Sequence, residues 1–154
     1  MIRGTACLIL VVLICALAAP AMAVEDQRYS YITVHSMEIS VENNRAVITI
    51  NYTLDEGIRV LVLLLGKSDL KSKLLKMVNY DNAYFIEVGL DRAVLVVDNA
   101  SDDYGGGIYW FPSHSFNVVL PALRVRTPQT IREYTMTREF DGGIGHFQVE
   151  QQYV

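Results

Sequence analysis

Beyond residue 23 this sequence has no cysteine: its two, Cys7 and Cys15, both fall in the opening stretch. A chain that loses that stretch has no disulfide to staple it, no thiolate to bind zinc and no cysteine nucleophile. Charge of either sign is also sparse. The 154 residues carry a net charge of -4 with 19% charged side chains, which excludes a strongly basic nucleic-acid surface and a disordered polyelectrolyte alike. Internal repeats, linkers and low-complexity tracts are absent, so one compact domain is expected. The triple glycine Gly105-Gly106-Gly107 lacks the Lys-Ser/Thr and the strand-to-helix setting of a phosphate-binding loop. Ser113-His114-Ser115 stands without a G-x-S-x-G elbow, and His35, His114 and His146 have no metal-ligand spacing. Nothing in the sequence therefore points to an enzyme.

What is present begins at the N-terminus. Arg3 supplies a positive charge, Cys7 to Ala19 is an unbroken apolar run, and Ala21-Met22-Ala23 is a small-x-small cleavage site. Residues 1–23 read as a secretory signal peptide, with Pro20 arguing against a retained anchor. Residues 24–154 are then expected to be a single exported β-rich domain, secreted or held in the cell envelope.

The clearest structural stretch is "MEISVENNRAVITINYTLDEG". Met37, Ile39 and Val41 alternate with polar residues, Asn43-Asn44 makes a turn, and Ile48, Ile50, Tyr52 and Leu54 alternate again, which is the pattern of a half-buried hairpin. The upstream "RYSYITVH" reads as a further strand, and Arg59 to Leu65 as a strand buried on both faces. Ser68 to Val78 changes period: Leu70, Leu74, Leu75 and Val78 share one helical face behind Ser68 as N-cap. "AYFIEVG" and "RAVLVVD" form a second hairpin, and strands follow at 108–111, 115–120, 131–140 and 145–153. The expected fold is mainly β, an immunoglobulin-like sandwich with one short amphipathic helix; the alternative is α+β, with that helix packed on an antiparallel sheet.

Four groups of residues are candidates for contact with something else. In "DNASDDYGGG", Asp98, Asp102 and Asp103 crowd oxygen ligands of the kind calcium takes, although the spacing is not that of an EF-hand and Asp-Gly turns have the same composition. Calcium is the only cofactor this loop invites. Tyr104, Tyr109 and Trp110 adjoin those acids and offer aromatic faces to a sugar ring; alternation places Tyr109 and Trp110 on opposite faces, so one side of that strand is core. Asn51 and Asn99 each open an N-x-Ser/Thr glycosylation pattern. Lys67, Lys71, Lys73 and Lys76 are all the lysines of the chain and line the helix, where they face water or meet an acidic polymer or lipid surface.

The resulting functional expectation is a non-enzymatic exported domain that binds or builds, with a cell-surface glycan or an envelope protein as partner and no nucleic acid. Membrane contact is expected only through an uncleaved signal or weak surface attraction. A secreted hydrolase acting on polysaccharide or another polymer is one alternative. A subunit of an envelope assembly is another.

Overall fold

The structure, a computed structural model, describes residue 29 and residues 31–148, so the expected signal peptide and the chain beyond 148 lie outside the described residues. Alternation organises the first hairpin. β1 (Ile32–Glu42) and β2 (Arg45–Leu54) pair antiparallel, with Ile39 opposite Ile48 and Met37 opposite Ile50. Asn43 takes a φ of 52° at the turn, a conformation asparagine tolerates. The apolar positions of the pattern are all buried. "RYSYITVH" is not a separate strand. A register shift between Val34 and Ser36 inserts one residue, so burial passes from Ile32 and Val34 to Met37 and Ile39, and one continuous strand reads as two.

Arg59 to Leu65 is not a strand. Glu56–Leu65 forms a helix, α1, entered from Asp55 and ended at Gly66, whose φ is 93° and whose N–H donates to Val62 O. A short apolar run has no period that separates strand from helix, but leucine favours helix, Glu56 suits the first turn, and glycine is the usual stop. Nor is the run buried: among α1's residues only Val62 is.

The second helix, α2 (Ser68–Val78), buries Leu70, Leu74, Met77 and Val78. Leu75 is only half-buried, and Ser68 lies inside the helix with Lys67 at the cap position and no side-chain capping bond. Its C-terminal end is held with care. Asn79, in the left-handed conformation, donates its N–H to Leu75 O, Asn117 Nδ2 donates to Lys76 O at 2.7 Å, and His114 Nε2 lies 2.7 Å from Val78 O. A carbonyl only accepts, so His114 carries its proton on Nε2.

β3 (Ala83–Val88) and β4 (Arg92–Val97) form the second hairpin as expected. β5 (Asp102–Asp103), β6 (Ile108–Phe111), β7 (His114–Arg126), β8 (Ile131–Phe140) and β9 (Ile144–Phe147) complete the order. β7 is one long strand that runs through Pro121, beyond the end expected at 120. Six strands form one sheet in the order β3-β4-β2-β1-β7-β8, in which β1 and β7 run parallel and the other neighbours antiparallel. β5, β6 and β9 form a separate three-stranded sheet.

The described residues are thus mainly β, with two helices, one open mixed sheet and one small sheet. The immunoglobulin-like sandwich is not confirmed by this strand order. One face of the large sheet is apolar, through Ile39, Ile48, Leu95, Leu123 and Val125, and α2 packs against β7 and β3. The inner side of the small sheet is fastened by Phe111 stacking on Phe140 at 5.4 Å and by His146 Nε2 donating to Asn43 O at 3.1 Å.

Candidate functional site

The outer side of the small sheet is built around Trp110. On β6 it stands between Asp102 of β5 and Gly145 of β9, and in the next row Ile108 lies opposite Phe147. Residues two apart on a strand share a face, so Trp110, Ile108 and Phe147 form one surface with Asp102 at its side. All of them are exposed, Trp110 to 40% and Phe147 to 60%. Tyr109 and Phe111 point the other way, as alternation requires. Phe111 is fully buried, and Tyr109 stacks on His146 with ring centroids 5.5 Å apart.

Glycine is what lets the indole lie flat. A Cβ at Gly143 would sit 2.5 Å from Trp110 Cζ2 and 2.9 Å from Phe111 O, and one at Gly145 would touch Trp110 Cε3 at 3.6 Å. The six-membered ring therefore rests on the backbone entering β9, and Gly143's φ of 53° adds a second reason for glycine. The outer edge of β9 is occupied as well. Gln129 donates to Phe147 O at 3.0 Å and accepts from Phe147 N at 3.1 Å, while Arg132 donates to Gly143 O at 3.0 Å. With those backbone groups satisfied, less of this edge is left as an open ladder.

The triple glycine closes the β5–β6 hairpin. Gly105, Gly106 and Gly107 all have positive φ, Tyr104 N donates to Ile108 O, and Gly105 N donates to Asp103 Oδ1. Tyr104 stands exposed at this tip. Asp102 and Asp103 are successive strand residues and so face opposite ways, while Asp98 is held by Arg45 at 2.9 Å. Among the described residues no three His, Cys, Asp or Glu side chains gather as a metal site.

The remaining candidates are scattered. Asn51 is exposed on β2 and donates to Ser36 Oγ at 3.0 Å; Asn99, with a φ of 54°, sits in the turn before β5 and accepts a bond from Asn44. Of the lysines, Lys67 is half-buried and donates to Val88 O, and Lys73 lies 3.9 Å over the Tyr31 ring and 3.5 Å from Asp69. Lys71 and Lys76 are exposed. His35 bonds Thr53 on the polar side of the large sheet, and His114 is fixed between Tyr80, 3.6 Å away and parallel, and Val78 O. Ser113-His114-Ser115 is thereby a fastening of α2 to β7.

The polar face of the large sheet holds a shallow concavity of about 380 Å³ lined by Ser36, Glu38, Asn51, Arg124, Glu133 and Thr135. Glu38, Arg124 and Glu133 form one row across β1, β7 and β8. The two glutamates stand two strands apart, with about 10 Å between their backbones, and two carboxylates across a cleft are what a glycosidase needs. Both are engaged: Glu133 by Arg124 at 2.7 Å and Glu38 by Arg126 at 3.3 Å. Sequence reasoning singled out neither acid, because only the parallel β1–β7 pairing brings them into register.

No family model, curated protein or solved structure matches this chain.

Proposed function

We propose that the chain is a non-enzymatic, exported binding domain that holds a saccharide against Trp110. The observation that carries this reading is the indole laid on the backbone at Gly143 and Gly145, with its neighbours Ile108 and Phe147 exposed beside it. A flat aromatic surface fixed before the ligand arrives loses little entropy on binding and fits the C–H face of a sugar ring. Asp102, next to Trp110 in the ladder, accepts hydrogen bonds from hydroxyls at the ring's edge. The expected signal peptide delivers such a domain to where polysaccharide is found. The hydrolase alternative is weaker, since the two glutamates of the polar concavity are engaged by arginines.

Trp110 is the only tryptophan of the chain, so its emission reports the site directly. Titration with soluble oligosaccharides of envelope polymers is expected to shift and quench that emission. Trp110→Ala should abolish retention on the insoluble polymer, and Gly143→Ala should weaken it by tilting the ring off its floor. A panel of oligosaccharides that leaves the emission unchanged would refute the saccharide reading. An assembly role has one observation in its favour, the exposed ten-residue strand β8 at the edge of the large sheet.

A further inference from the structure

Leu64 and Leu65 of α1 are the most exposed large apolar side chains among the described residues, at 75% and 81%, with Leu63 at 64% and Val60 and Leu61 also open to solvent. Exposed apolar surface on this scale marks a contact site. Its shape indicates the partner. Consecutive helical residues are about 100° apart, so Leu63 to Leu65 wrap about 200° of the helix. A protein groove covers one stripe of a helix, whereas the fluid boundary of a bilayer covers whatever sinks into it.

Charge follows the same direction along the chain. Asp55 and Glu56 stand at the N-terminal end of α1, the leucines at its C-terminal end, and all the lysines of an otherwise acidic protein come just after Gly66. Asp69, the one acid of α2, is occupied by the Tyr31 hydroxyl at 2.5 Å and by Lys73. Lys71 and Lys76 are exposed, Arg59 is exposed on α1 itself, and among the described residues none of the three forms an ion pair. No helix among the described residues is long and apolar enough to cross a membrane. α1, at ten residues, is about 15 Å long.

We propose that the C-terminal half of α1, with Lys71 and Lys76 of α2, docks on an anionic lipid bilayer. Leu63, Leu64 and Leu65 enter the acyl boundary and the lysines meet the headgroup phosphates. This surface stands independently of the saccharide reading.

The apolar run at residues 7–19 can itself hold the full chain on vesicles, so the test reads the depth of residue 64 rather than binding. Leu64→Trp in a Trp110→Phe background places one reporter there. On vesicles of phosphatidylcholine and phosphatidylglycerol with brominated acyl chains, its emission should shift to the blue and be quenched about twofold. Each lysine near an anionic surface contributes about a fivefold factor, so adding Lys71→Gln and Lys76→Gln should lower the ratio of docked to undocked helix about 25-fold. An unquenched residue 64 on vesicles that the chain occupies overturns the proposal. Quenching that survives both neutralisations overturns its anionic specificity. Emission already blue-shifted without lipid overturns it too: dependence on protein concentration then marks a second copy on the leucines, and independence marks another segment of the same chain.

Discussion

α1 and α2 are separated by Gly66 and Lys67 alone, both are rich in leucine, and they use it in opposite ways. α2 spaces Leu70, Leu74, Met77 and Val78 along a single stripe, which the sheet can cover completely. In α1 apolar residues follow one another from Val60 to Leu65, so whichever stripe faces inward the rest must face out; only Val62 is buried. Spacing, and not hydrophobicity, decides which leucines become core. The difference also assigns the two helices different work: α2 stabilises the fold, and α1 is available for contact.

The largest expected effect is a direct contrast between them. Leu74 is fully buried, and its truncation leaves a cavity under the sheet, so Leu74→Ala should cost about 2 to 5 kcal/mol. Leu64→Ala removes a side chain already in water and should change stability by no more than about 0.5 kcal/mol. Urea unfolding of the two variants gives both numbers from their midpoints. Equal losses would show that α1 is covered in the folded chain, and the comparison would collapse.

A smaller effect is expected where α2 is tied to β7. Asn117→Ala leaves the Lys76 carbonyl without its side-chain donor and should cost about 0.5 to 1.5 kcal/mol. No equivalent tie exists among the described residues at the end of α1, where Gly66 supplies a single backbone bond to Val62. A variant as stable as the wild type would mean that water replaces Asn117 at no cost, and that packing alone holds α2.

The same contrast shows what the sequence could reveal. The β1–β2 register, the buried stripe of α2, the β3–β4 hairpin and the opposed faces of Tyr109 and Trp110 were legible, because each is a local period whose one side must avoid water. α1 was not, because a run without polar interruptions carries no period. The flanks held the usable signal: Asp55-Glu56 before it and Gly66 after it are helix start and stop residues. The parallel β1–β7 pairing that aligns Glu38, Arg124 and Glu133 depends on contacts far apart in sequence and has no local signature. The Trp110 platform was half legible. The tryptophan beside its acids stood out, but nothing near Trp110 in sequence points to Gly143, and only the structure shows the indole resting there.

The last prediction is confined to acid pH and concerns the same end of α2. Burial between Tyr80 and Phe116 holds His114 below the ordinary histidine value near 6.5, and the bond to Val78 O offsets this only in part. The unfolded chain therefore binds a proton at a pH where the folded chain does not. Stability should be at its full value above about 6.5, fall as the pH drops from there through the folded value, and level off below it. His114→Gln keeps a donor for Val78 O but has no titrating ring. Its unfolding midpoint should be lower than that of the wild type at neutral pH, for want of the stack on Tyr80, yet flatter across the same acid window. Parallel curves for the two proteins would remove His114 as the origin of the slope. A flat variant curve would place the acid sensitivity of α2 on this single ring, at the carbonyl end of the helix whose leucines hold the fold together.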